Sequence, residues 1–377
     1  MSELCNLNPF KMGFGLMRLP KLADGSIDIP QVCDMADQFI AAGGTYFDTA
    51  YTYNDGASEA AFRAAVADRY PRESYTIATK LHAKASGVRS AEEAKQEFYT
   101  SLERLGTGYF DFYLLHAILR SNVDTYEQYG LWDFVHELKE KGLIRHWGFS
   151  FHADPELLEE LLTKHPDAEF VQLQINYADW ENPGVASRKN WEICRAHGKP
   201  VVIMEPVKGG ILADPIPEVK ELFDREGSGR SYASWALRFA ASLDNLLAVL
   251  SGMSSIGQME DNLRSIRDIP LSEEEQALIR SAQKALDADK SIGCTACHYC
   301  TKGCPMQIPI PEIFNVVNRR KGSPEFRTLR EYNNVTQGRG RASDCIACGQ
   351  CEGICPQHLP IIELLQKSRE LEGYAIL

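Results

Sequence analysis

The sequence predicts an α/β protein: a closed (β/α)8 barrel followed by a small, mainly helical, cysteine-rich module. Short apolar runs rich in β-branched and aromatic residues recur through the first 250 positions, each followed by a stretch of helical periodicity, and the runs number eight. No Gly-x-Gly-x-x-Gly turn follows the first run, which favours a barrel over an open, doubly wound sheet. Eight of the eleven cysteines lie beyond residue 293, where composition shifts to cysteine, glycine and proline.

At 377 residues the chain exceeds what one core usually fills, and the composition divides it into 1–275 and 276–377. Apolar residues at 44% and charged residues at 24% are ordinary for a globular protein and argue against disorder. A net charge of -12 argues against nucleic acid as a partner, because phosphate binding needs a basic excess. The first thirty residues lack a secretory pattern and no window has the length to span a bilayer, so a cytoplasmic protein without a membrane partner is expected. In such a chain, cysteines point to metal or redox chemistry ahead of disulfides.

The expected strands are 13–19, 45–48, 75–80, 110–116, 146–149, 171–176, 201–205 and 247–251, with helices between them such as 31–42, 91–105, 129–141 and 155–164. Asp48, Lys80, His116, Ser150, Gln174, Glu205 and Ser251 finish seven of these strands. One polar residue at a strand end is ordinary; seven in succession suggest a site, because the strand C-termini of a TIM barrel converge on one mouth. Segments 119–127 and 177–185 are expected to line its pocket, and Trp132 and Trp180 are either apolar walls or ordinary packing. Residues 272–288, opened by a serine with acids in the first turn, read as a linking helix, and 311–320 also looks helical.

In the tail, Cys294, Cys297, Cys300 and Cys304-Pro305 repeat the spacing of Cys345, Cys348, Cys351 and Cys355-Pro356. This C-x-x-C-x-x-C-x-x-x-C-P run is the bacterial ferredoxin spacing, in which the fourth cysteine of each run ligates the other cluster. The expected sets are therefore Cys294, Cys297, Cys300 and Cys355 for one 4Fe-4S cluster, and Cys345, Cys348, Cys351 and Cys304 for a second. Structural zinc also uses C-x-x-C pairs, but has no need of a third cysteine and a trailing Cys-Pro in both copies. The roughly forty residues between the runs have helical character, which favours a helical ferredoxin-like domain. Cys5, Cys33 and Cys194 are isolated and read as small hydrophobes.

Reducing a carbonyl with hydride requires a proton at oxygen near neutral pH. A tyrosine acidified by an ammonium, a carboxylate that fixes the ammonium, and a neutral imidazole to orient the carbonyl would meet that need. Asp48 and Tyr53 follow the second expected strand, and Lys80 and His116 end the third and fourth. This set resembles the catalytic tetrad of the aldo/keto reductase family. The resemblance implies Tyr53 as proton donor, Lys80 and Asp48 as its tuning pair, His116 as the carbonyl-orienting group and NAD(P)H as cofactor. It spans roughly residues 10–270 and includes Gly148-Phe149-Ser150, Gln174-Ile175-Asn176-Tyr177 and Asp261-Asn262. In the family the corresponding Ser and Gln bind the nicotinamide carboxamide, and the acid–asparagine pair reaches adenine.

The departures concern the cofactor. Phe151 stands where the family commonly has Asn, and Met204 where it has a tyrosine stacked on nicotinamide. Gly252 and Gln258 replace the Lys and Arg that hold the 2'-phosphate, leaving Ser251, Ser254 and Ser255 as polar partners, so the choice of NADH or NADPH stays open. The stretches Glu205-Pro206-Val207-Lys208-Gly209-Gly210 and Ser231-Tyr232-Ala233-Ser234-Trp235-Ala236-Leu237 resemble the iron-sulfur branch.

The expected function is an oxidoreductase acting on a small carbonyl or alcohol, its clusters exchanging electrons with a carrier such as ferredoxin or a flavoprotein. Hydride moves two electrons and a cluster one, and no flavin signature bridges the difference. The alternatives are an electron-transfer or redox-sensing protein whose barrel binds nicotinamide with little turnover, and clusters that serve only to clamp the tail.

Overall fold

A computed structural model describes residues 3–84, 88–289, 291–320 and 325–372. The chain forms two compact units, Met1–Val207 with Leu212–Gln283, and Lys208–Ile211 with Lys284–Leu377.

In the first unit β1 (Met12–Gly15), β2 (Tyr46–Asp48), β3 (Thr76–Leu81), β4 (Phe110–Ile118), β5 (Ile144–Phe151), β6 (Phe170–Gln174), β7 (Val201–Met204) and β8 (Leu246–Gly252) close a barrel in chain order, every neighbour parallel. β1 is shorter than expected because Leu16–Arg18 winds into a 3-10 turn. β4 and β5 are longer because their pairing runs past the apolar stretches, from Phe110↔Ile144 to Ile118↔Phe151.

Alternate residues of each strand face opposite ways. Phe47, Ile77, Tyr113, Leu115, Val171 and Ile203 join the large cluster packed against the helices, while Tyr46, Ala78, Phe112, Leu114, Phe170 and Val202 form a second cluster made of strand residues. The second parity continues at the strand ends into Asp48, Lys80, His116, Gln174 and Met204. Polar groups on that parity therefore cap the barrel's own core. Gly148 in β5 keeps the strands close, since a Cβ there would lie 2.2 Å from the Phe170 carbonyl oxygen.

Helices Ala91–Leu105 and Pro155–Lys164 are capped by Ser90 and Asp154, whose side chains accept from the Glu93 and Leu157 amides. Ser272 and Glu275 cap Glu273–Ala288 reciprocally, each side chain accepting the other's amide.

The second unit contains helices Tyr299–Lys302, Ile310–Arg319, Glu325–Thr336, Gln350–Gly353 and Ile361–Ser368. Its two cysteine runs begin repeats that extend beyond the cysteines. In each repeat a one-turn helix precedes the last cysteine, and a proline (Pro309, Pro360) then opens a longer helix at the matching position. Left-handed residues also match: Ala296 with Ala347, His298 with Gly349, and Gln307 with His358. Helix Glu325–Thr336 lies in the inter-run stretch expected to be helical, though its largely polar sequence gave it no bounds of its own; Tyr332 is its buried anchor. Among the described residues, no helix is long and apolar enough to cross a membrane.

Candidate active site and cysteine cradles

At the mouth of the barrel Lys80 Nζ donates to Asp48 Oδ1 at 2.6 Å and to the Thr49 carbonyl at 2.6 Å. Both side chains are buried. Burial presses each group toward its neutral form, lowering the Lys80 pKa and raising that of Asp48, and their mutual attraction opposes both shifts. The same ammonium lies 5.0 Å from the centre of the Tyr53 ring. Tyr53 opens a tight 3-10 turn in which Asn54 and Asp55 are left-handed, and the Asn54 amide ties that turn to the Met17 carbonyl at 3.1 Å.

His116 meets the Tyr53 ring edge-on at 5.7 Å between centroids, and the His82 ring at 5.6 Å. It stands beside a bulge: Ala117 is left-handed (φ 53), and the β4–β5 register shifts there. Bulges next to active sites re-aim side chains. This one is fixed by Ala117 N donating to Ser150 Oγ at 2.7 Å, by Asn122 Nδ2 donating to the Ala117 carbonyl at 2.9 Å, and by the Tyr126 hydroxyl donating to the His116 carbonyl. Burial first, then His82, Lys80 and His152, hold the His116 imidazole well below its ordinary pKa, so it is neutral at physiological pH. Among the described residues, His116 Nδ1 and Asp48 Oδ2 are buried without a hydrogen-bond partner.

Around this group, Ser150 accepts from Ala117 through its oxygen, and Gln174 Nε2 donates to Asp179 Oδ2 at 2.9 Å. Met204 ends β7, half-buried. Asn262 Nδ2 donates to Ser251 Oγ at 2.8 Å, and Asp261 accepts from Ser231 Oγ at 2.5 Å. Ser254 Oγ donates to the Arg18 carbonyl at 2.7 Å, and Ser255 caps helix Ile256–Ser265 by accepting from Gln258 N. Glu205, expected to finish the seventh strand, lies one residue past it in a left-handed conformation. Trp132 is core packing, buried and stacked on His165 at 3.9 Å.

In the second unit, Cys294, Cys297, Cys300 and Cys355 line one cavity with about 330 Å³ of non-atom space, its mouth included. Cys304, Cys345, Cys348 and Cys351 line another of about 340 Å³. Three cysteines of one run and the last of the other therefore meet at each cavity. The first is bordered by Thr295, His298 and Gln357, the second by Met306, Ile346, Ile362 and Leu365. The second is the more open, with Cys348 exposed and Ile346 61% exposed. Burial, then the neighbouring thiols, push the Cys300 pKa up, so this crowd of sulfurs suits a shared cationic core.

The sequence model of the aldo/keto reductase family matches residues 11–284, and that of a 4Fe-4S dicluster domain matches residues 293–359. The chain belongs to the aldo/keto reductase family. It is 24% identical to an uncharacterized oxidoreductase of Bacillus subtilis over 71% of this chain and 97% of that one. It is 25% identical to an NADH-specific methylglyoxal reductase of Escherichia coli over 70% and 91%. Among solved structures, an aldo-keto reductase from Bacillus halodurans in its holo form superposes with a TM-score of 0.58 at 27% identity, covering 72% of this chain and 91% of that one. One from Klebsiella pneumoniae in complex with NADP and acetate does so with 0.56 at 24%, covering 72% and 91%.

This aldo/keto reductase thus carries an oxidoreductase barrel and a 4Fe-4S dicluster domain in one chain. Sequence reasoning missed the residues that brace its mouth. Asp179 is buried and accepts from both Gln174 and Asn176. Arg104 bonds Glu59 and the Tyr51 carbonyl and lies over the Tyr51 ring, pinning the loop that carries Tyr53. Glu97 accepts the His82 amide at 2.9 Å. The only sequence signal of Glu59, Glu97 and Arg104 is a charge on the apolar face of a helical pattern, while Asp179 lies in a turn inside the 177–185 segment expected to line the pocket.

Proposed function

We propose that the barrel reduces a small aldehyde or ketone, or oxidises the matching alcohol, with NAD(P)H, and that the tail holds two 4Fe-4S clusters exchanging electrons with an outside carrier in the cytoplasm. The observation that carries the first part is the Asp48–Lys80 ion pair lying against the Tyr53 ring, with a neutral His116 edge-on to the same phenol. An ammonium beside a phenol favours the phenolate, which makes Tyr53 a better acid toward a substrate oxygen. Asp48 holds Lys80 in position. His116, being neutral, can donate a hydrogen bond to the carbonyl oxygen without a net charge. The partnerless Asp48 Oδ2 and His116 Nδ1 are what a mouth built for a polar guest would contain.

The nicotinamide, when bound, supplies or accepts hydride. Ser150, whose oxygen already accepts from Ala117, keeps its hydroxyl hydrogen for the carboxamide; Gln174 would join it, with Met204 against the ring. Ser251, Ser254, Ser255, Asp261 and Asn262 would hold the rest of the dinucleotide, without the family's cations at Gly252 and Gln258. Cys294, Cys297, Cys300 and Cys355 would hold one cluster, and Cys345, Cys348, Cys351 and Cys304 the other. Three cysteines of one run meeting the Cys-Pro of the other at each cavity suit a cubane better than a single zinc ion, which has no need of that arrangement.

The test is Tyr53→Phe in anaerobically purified holoprotein, assayed with aldehydes and ketones and both nicotinamides. Loss of about 10²–10⁴-fold in kcat/KM is expected, with the clusters' visible absorption unchanged. Equal rates with and without that hydroxyl would sink the catalytic reading and favour a redox sensor.

A further inference from the structure

We propose that Lys208 selectively raises the reduction potential of the cluster held by Cys294, Cys297, Cys300 and Cys355. The inference rests on the two-cluster reading and concerns the Glu205–Gly210 stretch, to which the barrel chemistry gives no role.

Lys208–Ile211 belongs to the second unit. Lys208, Gly209 and Gly210 are consecutively left-handed (φ 49, 64 and 101), a course that glycine at two of three positions makes easy. Gly209 is required sterically as well, since a Cβ there would lie 2.6 Å from Thr295 Cβ and 2.7 Å from the Thr295 carbonyl oxygen. Thr295 directly follows Cys294 and lines the first cavity.

The Lys208 side chain is located by two neighbours. Its Cε would be 3.8 Å from a Cβ on Gly293, the residue before Cys294, and its Nζ reaches Gln357 Oε1 at 3.4 Å. Gln357 lines the same cavity, two residues after Cys355. The ammonium thus lies between the segments that bring in the first and last thiolates of one cradle.

A cluster ligated by four thiolates carries net negative charge and gains one more on reduction, so a fixed cation favours the reduced form. Lys208 comes from outside the cysteine repeat, so the duplication supplies no equivalent to the second cradle. The described residues lining that second cavity include no Lys, Arg or His. Two clusters of one repeat are thereby made electronically unlike.

The experiment is an EPR-monitored redox titration of anaerobic holoprotein, comparing wild type with Lys208→Met and Lys208→Arg. Each is also made in a Cys348→Ser background, which perturbs the second cluster's signal. Expected is a more negative midpoint for one signal in Lys208→Met, that signal being the one Cys348→Ser spares, with the wild-type midpoint recovered in Lys208→Arg. Unchanged midpoints, an equal shift of both signals, or a shift confined to the signal that Cys348→Ser alters would overturn the assignment. Iron analysis precedes the titration. A wild-type chain holding too little iron for two clusters brings down the cluster reading itself, a failure distinct from a fully loaded protein whose midpoints do not respond.

Discussion

In the barrel, Asp48, Lys80 and His116 stand on strand ends above a core that is complete without them; in the cysteine module the reactive side chains are part of the core. Among the described residues, thirteen buried side chains make up the module's apolar cluster; three are Cys300, Cys351 and Cys355, and Cys294, Cys304 and Cys345 pack against the cluster. The cradle loops also hold five non-glycine residues, Ala296, His298, Gln307, Ala347 and His358, in the left-handed region. Each such residue costs about 1–2 kcal/mol. A small unit with so much of its interior given to thiols and strained turns depends on what the thiols bind. The barrel, with its layered aliphatic and aromatic interior, does not.

The largest effect expected of this difference follows iron removal. Chelation under reducing conditions should leave a protein whose barrel still melts cooperatively, while residues from about 290 onward become protease-sensitive and helical circular dichroism falls. Mass mapping of limited proteolysis reads the boundary. A single transition with uniform protection would mean that the module's core stands by itself and the contrast is wrong.

A second effect, next in size, probes the barrel mouth. Lys80→Met leaves the buried Asp48 carboxylate without its cation, a loss of about 3–5 kcal/mol in barrel stability. Adding Asp48→Leu should restore most of it, because removing both partners also removes the desolvation cost. Denaturant unfolding followed by tryptophan fluorescence measures both, and the cluster absorption should not move. If the double variant is as unstable as the single one, the pair is structural scaffolding for the barrel core instead of a charge placed above it.

The same contrast explains what was legible in the sequence. The strands were, because buried parallel strands read as apolar runs and their ends as polar punctuation. Asp48, Lys80 and His116 stood out as polar residues at or near strand ends and Tyr53 through the resemblance to the family's tetrad, and the structure brings the four together. The bulge at Ala117 was not legible, because an alanine at positive φ carries no compositional mark and depends on Asn122 and Ser150. Glu59, Glu97 and Arg104 escaped notice because charges on amphipathic helices normally read as the solvated face. In the module the repeat was legible as far as Pro305 and Pro356; Pro309 and Pro360, and Ile310 and Ile361, extend it but carry no cysteine to mark them.

The smallest effect sharpens the comparison through pH. Glu97 is buried beneath the mouth, where burial pushes its carboxyl up to about 8, with Glu59 adding to the shift and the His82 amide and Arg104 opposing it. Between the ordinary carboxylate value and 8 the folded chain holds a proton that the unfolded chain has released, so this group's contribution to stability falls as pH rises through that window. Glu97→Gln keeps a carbonyl for the His82 amide and cannot ionise. Its stability relative to wild type should therefore be unchanged at pH 4, grow from about pH 4.5 and level off above pH 8. Asp48, which is not among the groups that shift Glu97, titrates in both proteins and cancels in the difference. A difference between the two proteins that does not vary with pH would show that Glu97 is ionised throughout, and that the barrel buries this charge as readily as it buries the Asp48–Lys80 pair.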